Sequence, residues 1–119
     1  MSDLQCPARL LLLSEPDAST AETLRHERVA AVYDGPPGSG AAELGRALGL
    51  PVQVLARPIR LVDVLAREAG ALDDLKDLAD LHRGETVVVA AVGEPGARVD
   101  VALDGDGLRV SEVSPGGAT

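Results

Sequence analysis

The chain has 119 residues, a net charge of −8 and a single aromatic residue, Tyr33. Its length fits one domain, and its charge and lack of aromatic side chains argue against nucleic-acid binding, which relies on basic patches and stacking rings. The lone cysteine, Cys6, excludes an internal disulfide, and every apolar run is too short for a signal core or a membrane span. We therefore expect a cytoplasmic protein with neither a nucleic-acid nor a membrane partner.

The first half of the chain predicts an alternation of strands and helices, because short apolar runs are separated by turn residues and amphipathic stretches. The expected elements are a strand at 9–13, a helix from Ser19 or Thr20 to about Glu27, a strand at 29–33, a helix at 41–48 with Gly49 as its C-cap, and a strand at 52–55.

Residues 61–82 carry apolar side chains at helical spacing, with an acidic face opposite them. The apolar positions are Leu61, Leu65, Ala69, Leu72, Leu75 and Ala79. This pattern predicts one long helix, kinked or broken at Gly70, that packs its apolar stripe inward.

Residues 84–93 form an apolar, β-branched run that predicts the central strand of a parallel sheet, and residues 99–113 alternate around Asp-Gly pairs, which predicts a hairpin. The expected fold is α/β, with three layers, a mostly parallel sheet covered by helices on its faces, and a C-terminal antiparallel hairpin at one edge. We assign residues 9–114 to this domain, 1–8 to an N-terminal extension and 115–119 to a flexible tail.

Three features suggest a site, and each has a structural explanation that we prefer. Residues 35–40 have the glycine spacing of a phosphate-binding loop, but Ala41 and Ala42 stand where lysine and a hydroxyl residue are required, which favours a plain turn. His26 and His82 lie near predicted helix C-termini, where an imidazolium interacts favourably with the helix dipole. The acidic run at 73–80 is typical of a solvated helix face rather than a metal clamp.

Four segments together resemble the histidine phosphatase (phosphoglycerate-mutase-like) superfamily over nearly the whole chain, from Arg9 to about Ser114. They are RLLLLSEPDAS at 9–19, RVAAVYDGP at 28–36, ALGLPVQV at 47–54 and LADLHRGETVVVAAVG at 78–93. The resemblance implies the phosphoglycerate-mutase-like arrangement of sheet and helices. In that family the first strand ends in Arg-His-Gly, whose histidine accepts the phosphoryl group, and the last motif strand ends in Ser-His-Gly.

The residues that carry the family's chemistry are missing from this chain. Ser14, Glu15 and Pro16 stand in place of Arg-His-Gly, and Ala91, Val92 and Gly93 stand in place of Ser-His-Gly. No arginine follows Pro36 until Arg46, and the acid-bearing insertion of active members is reduced to a stretch around 57–63. The resemblance therefore implies no catalytic residue, with Ser14, Glu15 and Val92 as the degenerate positions.

The strand ends carry acids instead of the positive charge that a phosphoryl group requires. The candidate ligand-binding residues are Glu15, Asp17, Asp34 and Glu94, which we expect to share one cleft in which crowding raises the pKa of at least one carboxyl.

We predict a catalytically inactive histidine-phosphatase-like domain that acts by binding a ligand or partner, or by self-assembly, without a cofactor or a metal. The alternative is an enzyme whose remodelled acidic pocket performs acid/base or cation-assisted chemistry at the same strand ends. A weaker third reading is a phosphate or nucleotide binder that uses the loop at 35–40. Few helices are available to cover the sheet, so exposed apolar surface and a homodimer are expected.

Overall fold

The structure is a computed structural model that describes residues 7–35, 40–104 and 107–113. The elements run in the order β1 (Ala8–Ser14), α1 (Thr20–Thr23), β2 (Val29–Asp34), α2 (Ala41–Leu48), β3 (Val52–Val54), α3 (Leu61–Leu65), α4 (Ala69–Leu81), β4 (Thr86–Ala91), β5 (Arg98–Asp104) and β6 (Gly107–Val113). In the described parts of the chain, no helix has both the length and the apolar character needed to cross a bilayer.

The strands form one six-stranded mixed sheet in the order β3-β2-β4-β1-β5-β6. Strands β3, β2, β4 and β1 are parallel, whereas β5 is antiparallel to β1 and β6 to β5. The predicted α/β class, the central position of β4 and the C-terminal edge hairpin are confirmed. The turn at 105–106, the loop at 36–39 and the two terminal segments lie outside the described residues.

Strands β1 and β4 are buried on both faces, which explains why they read as unbroken apolar runs. Leu10, Leu12, Val87 and Val89 belong to a core cluster that also holds residues of α3 and α4. The opposite faces of the same strands belong to a second cluster, which includes Leu24 and the α2 residues Ala41 and Leu44. Each fully buried aliphatic side chain stabilises the fold by about 1.5–3 kcal/mol relative to exposure.

The hairpin is buried on one face only, as its alternating sequence predicts. Val99, Val101 and Leu103 are buried in the first cluster, and the partly buried Leu108 and Val110 pack against it. The other face carries polar residues such as Asp100, Arg109 and Ser111, which line a shallow solvent-facing depression.

Helix α1 is shorter than predicted, because it ends at Thr23 instead of Glu27. None of its four residues is buried, and the chain leaves it through turns in which the Arg25 and Glu27 N–H groups donate to Glu22 and Leu24 carbonyls. Leu24, directly after the helix, is buried and holds this segment against the sheet.

The long helix predicted at 61–82 is two helices, and the break lies at Arg67 rather than Gly70. Arg67 has a φ of 57°, the left-handed conformation that ends a helix and is usually taken by glycine. The Arg67 N–H donates to Val64 O at 3.0 Å and the Glu68 N–H to Asp63 O at 2.9 Å, which is the bonding pattern of a Schellman motif. Helix α3 buries Leu61 and Val64, whereas Leu65 and Ala69 are exposed, so the prediction that Leu65 and Ala69 pack inward is wrong.

Candidate functional site

The parallel strands end at one edge of the sheet, which is where α/β proteins usually bind ligands. β1 ends at Ser14, β2 at Asp34 and β4 at Ala91, and the antiparallel β5 begins beside them at Arg98. We call this side the carboxyl edge.

The end of β1 is closed by the segment that leads into the hairpin. The Ser14 N–H donates to Ala97 O at 3.0 Å, and Ser14 O accepts from the Gly96 N–H at 3.3 Å. The side chain of Ser14 is only 3% exposed, and its Oγ donates to Gly93 O at 2.8 Å. Both backbone groups and the hydroxyl of Ser14 are therefore committed to neighbouring backbone.

The end of β4 is closed in the same way by the segment that leads into α3. The Val92 N–H donates to Ile59 O and Val92 O accepts from the Leu61 N–H, both at 2.8 Å. The Gly35 N–H, just after β2, donates to Ala90 O at 3.1 Å. These strand-end N–H groups are used within the fold and do not point at an open site.

A polar cleft of about 470 Å³ lies beside the end of β1. It is lined by residues of the β1–α1 segment and by the first residues of the hairpin, namely Leu13, Ser14, Glu15, Pro16, Asp17, Ser19, Thr20, Thr23, Gly96, Ala97, Arg98 and Val113. Glu15 is exposed and has a φ of 51°, an uncommon conformation for a residue with a side chain.

An apolar groove of about 490 Å³ adjoins this cleft, and the two share Ala97, Arg98 and Val113. It runs between α3 and the hairpin, and its remaining lining residues are Leu61, Val62, Leu65, Gly93, Glu94, Pro95, Val99 and Glu112. Val62 is 58% and Leu65 42% exposed, so α3 presents aliphatic surface to solvent here.

Arg98 lies between the cleft and the groove, and it is the one basic residue among the described residues that line them. Its Nε and one terminal nitrogen donate to the two carboxylate oxygens of Asp100 at 2.8 and 3.1 Å. These hydrogen bonds raise the pKa of Arg98 above its already high value. Its positive charge is thus balanced by Asp100 rather than offered to a ligand.

Asp17 has a local structural role at the start of α1. Its Oδ1 accepts from the Ser19 N–H, the Ser19 hydroxyl and the Thr20 N–H at 3.0, 2.6 and 3.2 Å. In return the Asp17 N–H donates to Thr20 Oγ1 at 3.0 Å, so the two side chains cap each other's backbone. The hydrogen bond from the Ser19 hydroxyl is the main cause that lowers the pKa of Asp17, so Asp17 is not the carboxyl whose pKa was expected to be raised.

The cap should make stability depend on pH through Asp17. Because the folded-state pKa of Asp17 is lowered from the ordinary 3.8, its contribution is present above that value and is lost as the pH falls through the lower folded-state pKa. We expect Asp17→Ala to lower the melting temperature at neutral pH, and the difference from the unsubstituted protein to shrink in strong acid. Asp17→Asn keeps an acceptor oxygen and serves as the control, with a smaller loss that varies less with pH; a loss for Asp17→Ala that is equal at both pH values would contradict the cap.

The four candidate carboxylates do not converge on one point. Glu15 and Asp17 line the polar cleft, and Glu94 lines the adjoining groove. Asp34 is half-buried at the end of β2, which lies on the far side of β4 from β1, and it lines neither space. In the described ranges, no three histidine, cysteine, aspartate or glutamate side chains are grouped so that they could hold a metal ion.

His82 belongs to a separate polar chain that the sequence does not predict. Glu85 Oε1 lies 2.7 Å from His82 Nδ1, and the Tyr33 hydroxyl lies 2.8 Å from His82 Nε2. A carboxylate only accepts, so His82 Nδ1 carries a proton and donates it to Glu85. The Tyr33 and His82 rings also meet edge to face with centroids 5.7 Å apart. These side-chain contacts connect β2 to the end of α4, away from the cleft and the groove.

The fold and this edge define an α/β domain with a mixed six-stranded sheet, in which the strand-end N–H groups of Ser14, Gly35 and Val92 donate to backbone carbonyls. No protein-family model matches the chain, and a search of curated proteins finds no match either.

The sequence does not single out the residues that line the groove. Val62, Leu65, Glu112 and Val113 belong to two elements that are distant in the chain, and only the folded structure brings the outer face of α3 beside the hairpin. One available signal was Val62, an apolar residue next to Leu61 and off the predicted inward stripe.

Proposed function

We propose that this chain is a non-catalytic domain of the histidine-phosphatase-like type, with the phosphoglycerate-mutase-like three-layer arrangement, and that it acts by binding a partner at the carboxyl edge. The parallel order of β3, β2, β4 and β1 and the antiparallel hairpin are compatible with the family resemblance of the four sequence segments.

One observation carries the non-catalytic part of the proposal: the strand-end N–H groups of Ser14, Gly35 and Val92 all donate to backbone carbonyls. Phosphoryl transfer needs fixed donors and positive charge aimed at the phosphate oxygens. Here the donors are used, Glu15 occupies the nucleophile position, and Arg98 is paired with Asp100. A phosphate ester that approached this edge would meet carboxylates.

The alternative, an enzyme with a remodelled acidic pocket, has less support. Its acid/base groups would have to act together, but Asp17 caps α1 and Asp34 lies across β4 from Glu15. A cation-assisted mechanism would require a group of ligands, which the described residues do not supply.

The binding part of the proposal rests on exposed aliphatic side chains at the groove, since aliphatic side chains exposed together usually mark an interaction site. Val54 and Leu81 form a second exposed aliphatic pair, and each residue is 75% exposed. They line a depression near β3, the edge strand on the side of the sheet opposite the hairpin. We call it the β3 patch. In this proposal the homodimer predicted from the sequence forms through the β3 patch. The groove is the less favourable dimer interface, because two grooves in contact would bring the acidic side chains Glu94 and Glu112 of both copies together.

A turnover assay tests the proposed function. We expect p-nitrophenyl phosphate and phosphoglycerate to be hydrolysed or isomerised no faster with the protein than in buffer alone. The matched variant is Glu15→Ala, which removes the carboxylate at the nucleophile position without changing a core residue. Turnover above the buffer rate that Glu15→Ala abolishes would show that the domain is an enzyme.

A further inference from the structure

We propose that the apolar groove and the polar cleft together bind an extended segment of a partner protein in which apolar and basic side chains alternate. This inference rests on the proposed function, because it names the chemistry of the partner that the carboxyl edge would bind.

The groove accounts for the apolar side chains of such a segment. Its floor and walls are aliphatic, from Leu61, Val62 and Leu65 on α3 to Val99 and Val113 on the hairpin. Burying an exposed aliphatic side chain here removes apolar surface from water, which favours binding. The groove lies between α3 and the hairpin, and Gly93, Glu94, Pro95 and Ala97 of the β4–β5 connection complete its lining.

The basic side chains follow from the charges around both spaces. Exposed carboxylates line each of them: Glu94 and Glu112 in the groove, and Glu15 and Asp17 in the cleft. The lowered pKa of Asp17 keeps it ionised at neutral pH. Because Arg98 is already paired with Asp100, none of the described residues that line the two spaces offsets these four negative charges. The net charge of −8 attracts the same partner at longer range.

The same charges select this occupant over two others. A second copy of the chain would bring the same carboxylates to the groove, so like charges would face one another across the contact. A nucleic acid would bring phosphates. A segment with lysine or arginine beside leucine or valine satisfies both the aliphatic lining and the acidic rim.

The test uses a fluorescein-labelled octapeptide of alternating leucine and lysine, titrated with the full chain and followed by fluorescence anisotropy at low salt. Two control peptides replace either every leucine by glycine or every lysine by glutamate, and spermine serves as a polycation without hydrophobic side chains. We expect the leucine–lysine peptide to bind at least about tenfold more tightly than each control. Equal binding of the glycine–lysine peptide, or equally effective competition by spermine, would overturn the proposal in favour of general charge attraction.

Paired variants locate the binding. The double variant Val62→Asn with Leu65→Asn should weaken peptide binding about tenfold. Its control, Val54→Asn with Leu81→Asn in the β3 patch, should leave peptide affinity unchanged. Glu94→Gln with Glu112→Gln should weaken it about fivefold, whereas Asp73→Asn with Asp77→Asn on α4 removes the same charge elsewhere and should have little effect. If a double variant and its control lost peptide affinity equally, the peptide would not bind at the groove and the cleft, and the proposal would be overturned.

Two further outcomes are decisive. Light scattering that shows a dimer dissociated by Val62→Asn with Leu65→Asn would mean that a second copy covers the groove, and would overturn the proposal. Turnover of a phosphate ester would refute the non-catalytic function and leave the peptide result unaffected. Absent turnover together with absent peptide binding would refute the partner chemistry alone.

Discussion

Gly40→Ala should lower the free energy of unfolding by about 3 kcal/mol, because the new methyl group has no space. Gly40 begins α2 with a φ of 95°, a conformation that favours glycine. A Cβ built on it would lie 1.7 Å from the carbonyl oxygen of Pro16 and 2.9 Å from its carbon. Both are backbone atoms of the segment that lines the polar cleft, so the clash can be relieved only by moving that segment or α2.

Gly49→Ala is the matched control for this substitution. Gly49 follows α2 with a φ of 73°, and no atom lies within 4 Å of the position of its Cβ. It therefore carries the left-handed strain without a clash and should cost about 1–2 kcal/mol. Urea denaturation of both variants measures the difference. Equal losses would show that the cleft segment is not packed against the start of α2.

Leu24→Ala should cost about 2–5 kcal/mol, because Leu24 is 1% exposed and belongs to the cluster that includes Ala41 and Leu44. It is the anchor that holds α1, whose own residues are not buried, against the sheet. The loss should be accompanied by faster amide hydrogen exchange in α1.

The control for Leu24→Ala is Leu81→Ala, since Leu81 is 75% exposed at the end of α4. This second truncation, measured at a protein concentration low enough to dissociate the homodimer proposed at the β3 patch, should change stability by no more than about 0.5 kcal/mol. Similar losses for the two variants, measured by thermal or urea denaturation, would mean that Leu24 does not anchor the segment.

The strands could be predicted from sequence because their burial leaves a direct pattern. Strands β1 and β4 are buried on both faces and read as continuous apolar runs, and the hairpin alternates because only one face is covered. Helix α2 and its Gly49 cap also agree with prediction, since both depend on local residues. Residues 36–39, which belong to the loop with the glycine spacing of a phosphate-binding loop, lie outside the described residues.

The break between α3 and α4 could not be predicted, because Arg67 takes a conformation that sequence rules reserve for glycine. Leu65, in the short helix before the break, is exposed and lines the groove beside the hairpin. A periodic pattern of apolar residues predicts a helix, but it does not predict where a Schellman motif ends that helix.

The site was predicted in part. Strand order places Glu15, Asp17 and Glu94 at the expected edge, whereas Asp34 lies on the other side of β4. Asp17 caps α1, a helix that is shorter than the sequence predicts. The loss of free donors at the strand ends could not be predicted, because the acceptors for Ser14 and Val92 come from Ala97 and Ile59, which the fold brings there from other segments.

Titration of ¹⁵N-labelled protein with inorganic phosphate most directly tests the central claim that this edge has no phosphate site. The amide signals of Ser14, Gly35 and Val92 report the strand-end donors. We expect them to stay in place as phosphate is added, beyond the small uniform changes caused by ionic strength, because each donates to a backbone carbonyl. Saturable shifts confined to these amides and to Glu15 would contradict the account and would restore a phosphate site at the carboxyl edge.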